Sequence, residues 1–197
     1  MCGILFSYSK SQLIGIDNFR QSLELQKHRG PDNTGVLRVS DAMIIGNVRL
    51  SITDLSNNSN QPMINDETSS IISFNGDIYN YIELRNYLKK KNINFFSNGD
   101  TEVLLKYLDL KGIDGIKELN GKWAFVFENK KENKLIISRD RFGKQPLYYY
   151  KDKETIIFSS EIKSIYNLLK KKRNLRKNII IKYLKIGYIN NENEDTI

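Results

Sequence analysis

The sequence predicts an α+β domain, because short apolar strands stand near both ends of the chain and amphipathic helices lie between them. One strand pattern runs over residues 3–8 and another over residues 155–159. Between them, two segments repeat apolar residues at helical spacing. We therefore expect two sheets covered by helices. The sequence contains no Rossmann or P-loop glycine pattern.

The first half of the chain alternates between strand and helix patterns. After the first strand, Ile16, Phe19 and Leu23 recur at helical spacing, and residues 27–32 break that pattern with a glycine and a proline. The remaining predicted elements of this half are strands at 42–50 and 71–74, a helix marked by Tyr81, Leu84 and Leu88, and a helix after Asp100 marked by Val103, Leu104, Tyr107 and Leu108.

The second half is rich in strands. Charged turns such as residues 128–132 separate them. The predicted strands are 123–127, 135–138, 147–150 and 155–159, followed by helices near 161–170 and 178–186.

Size and composition favour one folded domain without metal or disulfides. The chain has 197 residues, and 40% of them are hydrophobic. Its single cysteine and single histidine exclude an internal disulfide and a Cys/His zinc site. Neither a secretion signal nor an apolar run long enough to cross a membrane occurs. We expect a soluble cytoplasmic protein without a metal centre.

The net charge of +8 does not by itself indicate nucleic-acid binding. Residues 151–197 carry 11 Lys and Arg against 6 Asp and Glu, so much of the excess lies late in the chain. The one dense cluster, residues 170–173, has no interleaved aromatic residues that could stack on bases. We interpret it as a solvated connector. A nucleic-acid-binding module remains an alternative that salt-sensitive binding would reveal.

Cys2 follows the initiator methionine directly. Removal of Met1 would place a thiol and a free α-amine on the same residue. An α-amine has a pKa of about 8, so it could accept the thiol proton at neutral pH. The position therefore predicts a nucleophile that carries its own base, although a buried cysteine that fills the start of a strand would also fit it.

Seven short motifs follow one another along the chain. They are Met-Cys-Gly-Ile at 1–4, His-Arg-Gly-Pro-Asp at 28–32, Arg-Leu-Ser-Ile-Thr-Asp-Leu at 49–55, Gln-Pro-Met at 61–63, Phe-Asn-Gly-Asp-Ile-Tyr-Asn at 74–80, Gly-Asp-Thr-Glu at 99–102 and Arg-Asp-Arg-Phe-Gly-Lys-Gln-Pro-Leu-Tyr at 139–148. In this combination the sequence resembles the N-terminal glutaminase domain of glutamine-hydrolysing asparagine synthetases, a class II glutamine amidotransferase. The resemblance covers essentially the whole chain, 1–197, and implies the four-layer αββα sandwich of N-terminal nucleophile hydrolases.

The resemblance implies three catalytic residues. Cys2 would attack the side-chain amide of L-glutamine and form a γ-glutamyl thioester. Asn75 and Gly76 would form the oxyanion hole through a side-chain amide and a backbone N–H. From the residues alone, an Asn-Gly pair is also a favoured hairpin turn.

The resemblance also implies the residues that hold the substrate. Arg49 would pair with the α-carboxylate, a task that suits a planar guanidinium. Asp77 and Asp100 would hold the α-ammonium group. Considered alone, Arg49 could be a surface residue at a strand end, and Asp100 could cap the following helix. The backbone expected to line the same pocket belongs to Leu50, Ser51, Ile52 and Thr53.

Three positions bear on how closely the family pattern is followed. Asp77 stands where asparagine synthetases often have Glu, and the shorter side chain is expected to weaken glutamine binding. Asn47 stands where many relatives have His, a change for which the sequence offers no physical explanation. Histidine is a common general base in enzymes, but the mechanism assigns the base role to the α-amine, so we expect His28 to shape its loop.

The family's synthetase domain, with its Ser-Gly-Gly-x-Asp-Ser loop for ATP, is not represented in the sequence. The chain therefore resembles a glutaminase domain truncated before that domain, and ATP and magnesium are expected only there. A synthetase partner in cis or in trans would use the ammonia to amidate aspartate or a related carboxylate. A homodimer is left open, and a non-catalytic scaffold that binds glutamine or a partner is the alternative function.

Overall fold

A computed structural model describes residues 1–10, 14–170 and 177–187. Helices and strands follow in the order β1 (Gly3–Ser9), α1 (Ile16–Glu24), β2 (Asn33–Arg38), β3 (Met43–Arg49), β4 (Met63–Ile64), β5 (Ile71–Ile78), α2 (Tyr81–Lys89), α3 (Asp100–Lys111), β6 (Gly121–Asn129), β7 (Lys134–Arg139), β8 (Tyr148–Lys151), β9 (Thr155–Ser159), α4 (Ile162–Leu169) and α5 (Lys177–Ile186). Short 3₁₀ turns occupy Lys27–Arg29, Asn57–Ser59 and Gly112–Glu118.

The first sheet has the strand order β2-β3-β1-β9-β8, with antiparallel pairing throughout. Successive side chains of a strand point to opposite faces. On β1, Leu5 therefore packs with Phe19 and Leu23 of α1 on one face. Its neighbours Ile4 and Phe6 point to the other face. Because both faces are covered, the strand is buried along almost its whole length, including Ser7 and Ser9.

The second sheet has the order β4-β5-β6-β7 and is also antiparallel. On β6, Trp123, Phe125 and Phe127 pack toward α2 and α3. The alternate residues Ala124 and Val126 meet the first sheet in a shared core. The layers are therefore helices, sheet, sheet and helices, which confirms the predicted α+β αββα sandwich.

The strands differ from the prediction in length and number. Strand β5 continues to Ile78, so Asn75 and Gly76 lie inside a ladder opposite Ala124 and Trp123. The alternative that they form a hairpin turn is therefore wrong. Glycine inside a strand often marks a close approach of another backbone, and a Cβ on Gly76 would lie 2.2 Å from the carbonyl oxygen of Lys122.

Strands β2 and β4 were not predicted. β2 is an edge strand that is only partly buried, and its mixed composition produces no clear alternation of apolar and polar residues. β4 has two residues, too few for any periodic signal. Short or half-buried edge strands take their structure from the neighbouring strand that they pair with.

The predicted basic cluster at 170–173 lies mostly outside the described residues, which include only Lys170 of it. Lys170 adopts a left-handed conformation after the last turn of α4. For the part of the chain that the structure describes, every helix is too short or too polar to cross a bilayer.

Candidate active site

A cavity of about 130 Å³ opens at the end of the sandwich where β1 begins and β3 ends. The predicted site residues that line it are Cys2, Arg49, Leu50, Ile52, Thr53, Asn75, Gly76, Asp77 and Asp100. Ser51 lies outside this lining, and its backbone N–H donates to the Asp32 carboxylate at 2.7 Å. The structure thus brings together predicted residues from segments far apart in the sequence.

Cys2 lies immediately before β1, and two contacts fix its position. The Leu50 N–H points to its Sγ at 3.5 Å, and the Arg29 Nε donates to its carbonyl oxygen at 3.0 Å. Burial raises the pKa of the Cys2 thiol, while the Leu50 N–H, the N-terminal amine and Arg49 act in the opposite direction. A thiol with a raised pKa is mostly protonated at neutral pH. It therefore needs a base before it can act as a nucleophile.

Asn75 and Gly76 reach the cavity from the interior of β5. The Asn75 side chain is 1% exposed, and its Nδ2 donates to Oε1 of Gln145 at 2.9 Å. An amide nitrogen carries two protons. One is used in this contact, and the second is available on the side chain that lines the cavity.

Arg49 ends β3 and is buried, which contradicts the alternative that it is a surface arginine. Its guanidinium donates to the Ser56 carbonyl at 3.0 Å, to Asn60 Oδ1 at 2.9 Å and to the Asp54 carbonyl. The arginine therefore shapes the loop that follows β3 as well as contributing a positive charge to the cavity.

Two carboxylates also line the cavity, in different surroundings. Asp100 is the first residue of α3, and its carboxylate accepts from the Ile78 N–H at 3.0 Å. Gly99 occupies the helix N-cap, so the alternative that Asp100 is the capping residue is wrong. Burial raises the pKa of Asp100 to about 6. Asp77 is more exposed and forms an ion pair with Lys122 at 3.0 Å.

Asn47 and His28 do not line the cavity themselves, and both have structural contacts. Asn47 Nδ2 donates to Ser73 Oγ at 3.0 Å and to the Phe74 carbonyl at 3.3 Å, so the amide joins the two sheets. His28 Nε2 lies 2.7 Å from Oε1 of Glu161. This contact ties the Lys27–Arg29 turn to the start of α4, as expected for a loop-shaping residue.

Several lining residues were not predicted as site residues. They are Met1, Asp54, Ser59, Gln61, Phe74, Gly99, Thr101, Lys122 and Gln145. Most belong to the sequence motifs, so motif membership was the available signal. Lys122 and Ser59 lie outside every motif, and only the fold brings them to the cavity. Residues 1–10, 14–170 and 177–187 contain no group of three His, Cys, Asp or Glu that could hold a metal ion.

Comparison with protein families identifies the domain. Residues 1–196 match the family model described as a glutamine amidotransferase domain. The chain belongs to the glutamine amidotransferase domain family.

Similar proteins include longer synthetases. A putative glutamine-hydrolysing asparagine synthetase of Methanocaldococcus jannaschii is 37% identical over 96% of this chain and 40% of its own length. The glutamine-hydrolysing asparagine synthetase 1 of Bacillus subtilis is 38% identical over 84% of this chain and 26% of its own. This amidotransferase domain therefore spans less than half the length of these relatives.

A solved structure supports the fold. The glutamine phosphoribosylpyrophosphate amidotransferase of Bacillus subtilis superimposes on 85% of this chain and 43% of its own, with a TM-score of 0.70 and 19% identity. At that identity the likeness concerns the sandwich fold. The two sheets and their helices are thus a known amidotransferase architecture.

Proposed function

We propose that this domain hydrolyses L-glutamine to glutamate and ammonia, with Cys2 as the nucleophile. The observation that carries the proposal is the convergence of a thiol, a buried amide, an arginine and two carboxylates on one cavity. Arg49 would bind the α-carboxylate, and Asp100, assisted by Asp77, would bind the α-ammonium group. The backbone of Leu50, Ile52 and Thr53 would complete the substrate pocket.

The reaction would begin once Met1 is removed. The freed α-amine of Cys2 takes the thiol proton, and Sγ attacks the amide carbon. The N–H groups of Asn75 and Gly76 stabilise the tetrahedral oxyanion, to which each such donor contributes about 3–4 kcal/mol. The C–N bond then breaks, and the amine returns its proton to the departing nitrogen as ammonia forms.

Water completes the cycle. It attacks the γ-glutamyl thioester, glutamate leaves and the thiol is restored. The raised pKa of Cys2 is consistent with this scheme, because a protonated thiol needs the adjacent amine. This half of the reaction needs no cofactor from the chain.

The ammonia would pass to a synthetase domain in cis or in trans that uses ATP and magnesium. The names of the two asparagine synthetases support aspartate as the acceptor, and a related carboxylate is the other acceptor class.

The test is glutamate release from L-glutamine by the purified chain, with its N-terminal residue determined by mass spectrometry. We expect turnover from chains that begin at Cys2, no turnover from chains that retain Met1, and none from Cys2→Ala. A diazoketone analogue of glutamine should add one adduct to the N-terminal peptide of the wild type only. A chain that begins at Cys2 and neither turns over nor reacts would contradict the proposal and leave a binding scaffold.

A further inference from the structure

The loop that follows β7 presents a second buried amide to the cavity. Gln145 is 2% exposed, lines the cavity, and accepts the hydrogen bond of Asn75 Nδ2 at 2.9 Å. The two residues are 70 positions apart in the sequence, so only the fold joins them. A hydrogen bond between two buried side chains fixes both of them.

The backbone of Gln145 is itself held firmly. Its N–H donates to Asp140 Oδ2 at 2.9 Å, and its carbonyl accepts from Arg139 Nε at 2.7 Å. The Asp140 carboxylate also accepts the N–H groups of Phe142 at 3.1 Å and Lys144 at 3.0 Å. These contacts prevent the loop from carrying the Gln145 amide away from Asn75.

We propose that Gln145 is a positioning residue that orients the Asn75 amide for oxyanion binding. An asparagine amide can turn over and exchange its NH₂ group for its carbonyl oxygen. In the turned state the carbonyl would face the developing oxyanion and repel it. The acceptor oxygen of Gln145 holds the NH₂ group in place, so one proton is bound and the other is left for the cavity. This inference rests on the proposed glutaminase reaction and adds a residue to it.

The test compares Gln145→Met with Gln26→Met in the full chain. Methionine keeps the length of glutamine and removes the acceptor. Gln26 is equally buried, but it bonds the Ile4 carbonyl and Ser159 Oγ outside the cavity lining, so its variant controls for a lost buried amide. We expect Gln145→Met to lower kcat about tenfold with KM for glutamine changed less than about twofold. Gln26→Met should lower thermal stability, and it should not lower kcat while leaving KM unchanged.

A double-mutant cycle separates positioning from packing. In an Asn75→Ala background, Gln145→Met should cause no further loss of kcat, because the donor that it orients is gone. The side-chain ¹⁵N–¹H resonances of Asn75, assigned by their loss in Asn75→Ala, should shift in Gln145→Met and not in Gln26→Met.

The outcomes distinguish the two proposals. An active wild type in which Gln145→Met keeps its kcat, or loses it equally with and without Asn75, overturns the role of Gln145 alone. A wild type that begins at Cys2 and hydrolyses no glutamine overturns the proposed function and with it the catalytic meaning of the contact.

Discussion

Two loops contribute to the cavity lining, and in each of them one arginine and one aspartate hold the backbone in place. The first loop, residues 50–60, follows Arg49 at the end of β3, and the second loop, residues 140–147, follows Arg139 at the end of β7. Each arginine donates to carbonyl groups of the loop that follows it. In each loop a buried aspartate accepts backbone N–H groups, two of them at Asp54 and three from its own loop at Asp140.

The loops differ in how far these bonds extend. Asp54 accepts the N–H of Asn98 at 2.7 Å, so the first loop is tied to the segment that leads into Asp100. Asp140 bonds mainly within its own loop, where Gly143 has a positive φ of 61° and brings the chain back. Arg49 is buried, whereas Arg139 is exposed. The first loop therefore connects two proposed substrate-binding residues, Arg49 and Asp100. The second loop contributes only Gln145 to the cavity lining.

The largest expected difference is between Arg49→Met and Arg139→Met. Arg49→Met removes the proposed carboxylate partner and three loop contacts. We expect KM for glutamine to rise at least about 100-fold, as for one partner of a buried charge pair. Arg139→Met should change KM less than about threefold, since exposed charged contacts contribute little. Steady-state glutaminase kinetics measure both, and equal changes in KM would contradict the division between the loops.

The next difference is between Asp54→Asn and Asp140→Asn. Asp54→Asn should raise KM about tenfold, because it frees the loop around Arg49, while Asp140→Asn should lower kcat by a similar factor through Gln145. Kinetics at pH 7.5 test this, with unfolding in urea as the control for stability. A change of KM in both variants would contradict the comparison.

Acid should weaken both loops in the same way. Burial alone would raise the pKa of Asp54, but the N–H groups of Asn98 and Ser56 and nearby hydroxyls lower it. The pKa of Asp140 is lowered in the same manner by the N–H groups of its loop. A lowered pKa means that each carboxylate stabilises the fold fully above the ordinary value near 3.8 and loses this effect as pH falls through its lowered value. Either Asn variant should flatten the dependence of urea stability on pH below about 4.

The apolar periodicity of most strands and helices predicted two sheets covered by helices, and the resemblance to the family implied the four-layer sandwich. The segment that holds Asn75 and Gly76 was the informative exception. Its local composition favours a turn, and only pairing with β6 makes it a strand. Tertiary contacts overrode local preference here, and this placed the amide at the cavity.

The site was predicted from motifs, while the contacts between the motifs were not. Nothing near Gln145 in the sequence indicates that it meets Asn75, and nothing near Lys122 indicates an ion pair with Asp77. Such pairs depend on strand register and loop path, which the periodicity of a single segment does not encode.

The smallest expected effect is the pH dependence of glutamine binding. It concerns Asp100, whose segment is tied to the first loop. Asp100 must be ionised to bind an ammonium group, and burial raises its pKa to about 6. A raised pKa means that the carboxylate is charged above that value and neutral below it. The dissociation constant should therefore be about fourfold higher at pH 5.5 than at pH 7.5.

Binding is best measured by calorimetry on Cys2→Ala, which cannot consume the substrate. In that background Asp100→Asn should bind weakly at every pH, whereas Asp77→Asn should keep a pH dependence that is shifted to lower pH, because the negative charge of Asp77 contributes to the raised pKa of Asp100. Adding Gln145→Met should leave both the affinity and its pH dependence unchanged, since the second loop serves the reaction step. The contradicting result would be a pH dependence that disappears in Asp77→Asn or Gln145→Met and persists in Asp100→Asn. Substrate binding would then not be confined to the part of the cavity that the bond between Asp54 and Asn98 holds together.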